Sequence, residues 1–101
     1  MTSLEQTVLQ KAMDTWGRDK QVMLFGEECC EAAVEVLKLE NGRKDTEDDL
    51  ISEIADVSIM VDQMRLIWGP QIYAARLAKL ERLEQILDDP MIIRLKRRVK
   101  P

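Results

Sequence analysis

Two pairs of carboxylates interrupt stretches that are otherwise apolar. Glu28 and Glu31 lie among Phe25, Cys29, Cys30, Ala32, Ala33 and Val34, while Glu53 and Asp56 lie among Ile51, Ile54, Ala55, Val57 and Ile59, and neither pair has cations close by. Spacing alone says little: with 19 acidic residues in 101, chance gives roughly 3.5 acidic pairs at i, i+3, and four occur. The other two, Asp45/Asp48 in a polar linker and Glu81/Glu84 among Arg76, Lys79, Arg82 and Gln85, read as solvated charge with local partners. The embedded pairs lack that explanation. At about 100° per residue, each spans about 60° at the border of a helical apolar seam, so antiparallel packing of the two helices gathers four carboxylates. Such a cluster repels itself, and a hard divalent cation relieves the repulsion. Oxygen-only ligation, in a chain with no histidine, suits Mg2+, with Mn2+ as a substitute, rather than zinc. The alternative is that all four are ordinary surface residues of amphipathic helices.

The elements that must position these acids are helices. Thr2 or Ser3 caps a first helix carrying Leu4, Val8, Leu9 and Ala12, which stops near Trp16-Gly17. From about Lys20 to Glu40, the residues Val22, Phe25, Cys29, Ala32, Val36 and Leu39 follow a bundle seam, closed by Asn41-Gly42. Thr46 with Asp49 gives a cap signal before Leu50, Ile54, Val57, Val61, Met64 and Trp68, and this third helix is expected to end at Gly69-Pro70. A last helix, with Tyr73, Leu77, Leu80, Leu83 and Leu87 inward, runs to Asp88-Asp89-Pro90. The expected architecture is all-α, a four-helix bundle with two long central antiparallel helices. Residues 1–90 form the helical domain and residues 91–101 a basic C-terminal extension, either a helix that docks on a partner or a frayed tail.

Composition narrows the classes. The content is 46% hydrophobic but only 4% aromatic, which favours helices over a sheet. A formal charge of −4 argues against nucleic acid or anionic lipid as the main partner. Cys29 and Cys30 are adjacent and lack redox or zinc spacing, which points to small buried hydrophobes in a reducing compartment. No apolar run approaches the roughly 20 residues of a membrane span and no signal peptide is recognisable, so a cytoplasmic location is expected. A single chain of this size buries a modest core, and self-association would help it.

Glu27-Glu28-Cys29-Cys30-Glu31, followed after a Gly-containing turn by Glu53-Ile54-Ala55-Asp56, resembles the EExxE and ExxD motif of the MazG-like all-α pyrophosphohydrolases. The resemblance extends to Trp16-Gly17, Gln21, Asp62-Gln63-Met64, Ile67-Trp68-Gly69 and Lys79-Leu80-Glu81-Arg82-Leu83, nearly the whole chain apart from the tail. It implies that Glu28, Glu31, Glu53 and Asp56 hold magnesium, and that a nucleoside triphosphate is hydrolysed to monophosphate and pyrophosphate. It also implies a homodimer or homotetramer with sites lined by more than one subunit. Glu28 or Glu31 is the expected general base, with Glu27 and Glu35 behind them. Of the phosphate-binding cations Lys38, Arg65, Lys79 and Arg82, the resemblance favours Lys79 and Arg82. Trp16 or Trp68 offers a face for the base, although a Trp beside a helix-ending Gly also serves as a packing plug. Gln21 offers a hydrogen bond to a base edge.

Two other classes compete. A non-catalytic helical interaction module explains the basic tail better but leaves four acids in apolar stretches unexplained. A ferritin-like redox site lacks its usual His ligands.

Overall fold

The computed structural model describes residues 1–43 and 46–98, with residues 95–98 by their backbone alone. Asp45 of the linker pair and the end of the basic extension, 99–101, lie outside the described residues. Four helices account for nearly all of the described chain, and no strand is found among those residues: α1 Ser3–Trp16, α2 Arg18–Glu40, α3 Asp48–Leu87 and α4 Pro90–Arg98. No described helix is long and apolar enough to cross a membrane.

The helix ends follow from local chemistry. Thr2 caps α1 reciprocally: its hydroxyl accepts from the Glu5 N–H (3.1 Å) and the Glu5 carboxylate accepts from the Thr2 N–H (2.7 Å). Gly17, at φ +86°, is the single residue between α1 and α2, a conformation that a side chain would strain. At the far end of α2, the Gly42 N–H donates to the Leu39 carbonyl (3.1 Å) and the Arg43 N–H to the Lys38 carbonyl (2.9 Å). With Gly42 at positive φ, this is the paired C-terminal closure that glycine favours. Asp48 and Asp49 occupy the first turn of α3, where carboxylates meet the positive end of the helix dipole. Asp89 caps α4 by accepting from the Met91 N–H (2.7 Å), with Pro90 in the first turn.

The expected break at Gly69-Pro70 is a kink rather than an end. Pro70 has no N–H for the Leu66 carbonyl, and its ring crowds the preceding turn. The chain answers at Trp68 (φ −126°, ψ 32°) and then continues helically to Leu87. What was expected as the last helix is therefore the second arm of α3, and the fourth helix falls within the basic extension.

The chain divides into two compact units, Met1–Trp68 and Gly69–Pro101. In the first, Leu9, Met60 and Met64 are buried, with Gln21 and Gln63 beside them in burial, and Val22, Leu24, Phe25, Cys29, Val57 and Val61 are half-buried. Most of the expected seam faces inward, but Val36 and Ile54 are exposed, as are Leu4 and Val8 of α1. A second apolar seam is left in solvent, formed by Met23, Cys30, Val34 and Leu37 on α2 and by Ile51 and Ile54 on α3. In the second unit Tyr73, Leu77, Leu80, Leu83 and Leu87, expected inward, are all exposed. One helical arm followed by the 9-residue α4 supplies too little facing surface to cover them.

Candidate metal centre

The first unit holds the acids. Glu28 is on α2, and Glu53 and Asp56 are on α3; one carboxylate oxygen from each lies within 4.8 Å of the others. The convergence follows from antiparallel arithmetic. The Gln21 side-chain carbonyl is turned inward: its Oε1 accepts from Gln63 Nε2 at 3.0 Å. Gln21 stands seven residues before Glu28 and Gln63 seven residues after Asp56. Equal steps in opposite directions keep partners opposite, so the pairing of Gln21 with Gln63 carries Glu28 to Asp56, Glu31 to Glu53 and Glu35 to Asp49.

Glu28 and Glu53 are half-buried, and the Oε2 atom of each is closed off from solvent without a hydrogen-bond partner. Both carboxyls titrate above their ordinary 4.5. Desolvation is the larger cause, followed by the negative charges of Glu31 and Asp56. Glu31 also shares a hydrogen bond with each of them when protonated. Glu31 is exposed and lies outside the closest trio, yet its charge acts on both glutamates, so it belongs to the same electrostatic cluster.

A cavity of about 320 Å3 opens beside the cluster, lined by Cys30, Glu31, Val34, Glu35, Lys38 and Glu53. Its cation is already engaged, since Lys38 Nζ sits 3.4 Å from Glu35 Oε1. A larger hollow of about 530 Å3 lies between α1 and Leu66, but its only acid, Asp14, accepts from Gln10 (2.9 Å) and is remote in sequence from the cluster. The two orphaned carboxylate oxygens and the all-oxygen donor set fit a hard cation. Three carboxylate oxygens within 4.8 Å of one another form the kind of oxygen-only cluster that Glu28, Glu53 and Asp56 would offer to such a cation.

The other candidates are distributed as follows. Trp16 is exposed at the end of α1. Trp68 is half-buried, with the Arg18 guanidinium 5.0 Å from its ring centroid. Gln21 is 2% exposed and turned to Gln63. Arg65 pairs with Asp62 (2.6 Å). Glu27 is exposed on α2. Lys79 and Arg82 are exposed in the second unit. Gln63 is the residue that sequence reasoning undervalued, and the signal was available: its distance from Asp56 equals that of Gln21 from Glu28.

No protein family matches this chain, and neither a curated protein nor a solved structure matches it.

Proposed function

We propose that this chain is a magnesium-dependent pyrophosphohydrolase of the MazG-like kind, converting nucleoside triphosphates to nucleoside monophosphate and pyrophosphate. The observation that supports it is the meeting of Glu28, Glu53 and Asp56 from two helices, with an oxygen of each glutamate cut off from both solvent and partner. Glu28, Glu53 and Asp56 would hold the cation, with Glu31 as the fourth carboxylate. Magnesium bound there would offset phosphate charge and make water more acidic. Water oxygen adds to the α-phosphorus, the bond from that phosphorus to the bridging oxygen breaks, and pyrophosphate leaves with the electron pair. Glu28 or Glu31 takes the water proton. Trp16 is assigned to the base, and the resemblance gives Lys79 and Arg82 as the cations for the phosphates.

A homodimer or homotetramer belongs to the same reading. The exposed seam of Met23, Cys30, Val34, Leu37, Ile51 and Ile54 gives the first unit a second packing face on the helices that carry the acids. A cytoplasmic location belongs to the same reading.

That exposed seam equally favours a helical interaction module without catalysis, and one experiment separates the two. The purified protein and a Glu53→Gln variant are incubated with a panel of ribo- and deoxynucleoside triphosphates, with and without magnesium, and the products are resolved by chromatography. Magnesium-dependent monophosphate and pyrophosphate, lost in the variant, supports the enzyme. Silence across the panel, together with calorimetry showing no magnesium binding, moves the assignment to the module.

A further inference from the structure

We infer that the buried Gln21–Gln63 pair is a register lock, a positioning device that keeps α2 and α3 in the one alignment that brings the carboxylates together. The inference rests on the metal-centre reading for its purpose, though not for its geometry. Both side chains are 2% exposed and joined by one hydrogen bond of 3.0 Å. Gln63 Oε1 is left buried without a partner, so the pair is an imperfect polar contact where two apolar side chains would pack more favourably. A polar pair kept at that disadvantage has its best-attested use in selecting alignment, as a single buried amide does in helical bundles.

The need for such a lock comes from the acids. In the observed alignment Glu28 faces Asp56 and Glu31 faces Glu53, so without a cation like charges oppose one another across the interface. That repulsion favours any slip that separates them. A slip of one heptad in either direction keeps the apolar periodicity largely intact, because both helices repeat every seven residues. It also parts Gln21 from Gln63. In one direction Gln21 meets Asp56, whose carboxylate can accept from the amide N–H but leaves the amide oxygen beside a negative charge; in the other it meets Pro70, which has no N–H for that oxygen, while Gln63 comes opposite Glu28 with the same mismatch at its oxygen. The amide pair therefore disfavours the slips that the carboxylates alone would promote, from two turns away and without touching the cation or the substrate.

The test is the full-length chain carrying Gln21→Leu and Gln63→Leu together, which preserves volume and removes both polar groups, so that the fold is retained. Register is read by methyl nuclear Overhauser contacts between native residues. Leu24 is three residues after Gln21 and Met60 three before Gln63, so they face each other in the present alignment, whereas Leu24 faces Ile67 after a one-heptad slip. Mn2+ binding is measured in parallel by water-proton relaxation, with the melting temperature as the control for packing. The expected result is a melting temperature at or above the parent's, Leu24–Ile67 contacts appearing at the expense of Leu24–Met60, and Mn2+ affinity lowered about 10- to 100-fold. Parental contacts and parental Mn2+ affinity in the double variant would overturn the lock. Should the parent bind no Mn2+, the metal reading falls, while the contact pattern still decides whether the pair sets register.

Discussion

Replacing Glu53 with Gln keeps the shape of the side chain, changes one oxygen for nitrogen and removes one negative charge from a cluster that contains Glu28, Glu31 and Asp56. In the metal-free protein that charge is a liability, because burial and its neighbours already push the Glu53 carboxyl above its ordinary range. Glu53→Gln should therefore raise the melting temperature of the metal-free chain. With magnesium the order should reverse. A cation that binds only the folded state at ten times its dissociation constant stabilises it by RT ln 11, about 1.4 kcal/mol. For a chain of this size that is a shift of about 6–11 °C. The parent should show that shift on adding magnesium and the variant should show almost none, since it loses one of the three converging carboxylates. Differential scanning calorimetry at pH 7.5, with EDTA or with a magnesium series, reads both quantities. A variant that melts lower than the parent in EDTA would refute the claim that the acids repel, and an equal magnesium shift in both proteins would refute the claim that Glu53 holds the ion.

The raised carboxyls of Glu28 and Glu53 also set a pH dependence. Between 4.5 and their raised values the folded chain holds more protons than the unfolded one, so metal-free stability should fall as pH rises through that interval, measurable by urea unfolding. Magnesium affinity should move the other way, weakening on acidification as protons compete for the same oxygens, and calorimetric titration at several pH values tests this. Met64→Ala, at a side chain only 4% exposed, should cost about 2–5 kcal/mol in urea unfolding; a loss below 1 kcal/mol would mean the first unit packs without it. Thr2→Ala removes the reciprocal cap of α1 and should cost about 1 kcal/mol, seen as faster amide exchange at the start of that helix.

The features legible in the sequence were those written in local chemistry. The Thr2–Glu5 cap, the Gly17 turn and the Gly42 closure each occupy a few residues whose types dictate the backbone. The gathering of Glu28, Glu53 and Asp56 was also legible, because antiparallel helices convert matched spacing into proximity. The fate of Pro70 was not, since a proline near a helix start and a proline in a kink present the same residues, and the difference lies in how Trp68 absorbs the lost hydrogen bond. Nor was the outward face of Ile54, Val36 and Leu80 legible, because periodicity identifies an apolar stripe but not what covers it. Gln21 illustrates the same limit: beside Trp16-Gly17 it suggested a base contact, and only the partner helix of the hairpin reveals Gln63 across from it.

Three features of this chain cost the isolated molecule stability: the opposed acids, the incompletely satisfied amide pair and the exposed second seam. A bound cation would relieve the first, and under the proposed reading the second serves the first. The third can be weighed. Met23, Val34, Leu37, Ile51 and Ile54 are each 48–66% exposed, and burying such a side chain fully contributes about 1.5–3 kcal/mol. Covering the exposed half of each in two copies gains about 8–15 kcal/mol, against about 4–15 kcal/mol for bringing two chains together. The seam of the first unit therefore about balances the cost of association by itself. Tyr73, Leu77, Leu80, Leu83 and Leu87 of the second unit add an apolar stripe of similar size, and it is this stripe that would tip the balance toward a stable assembly.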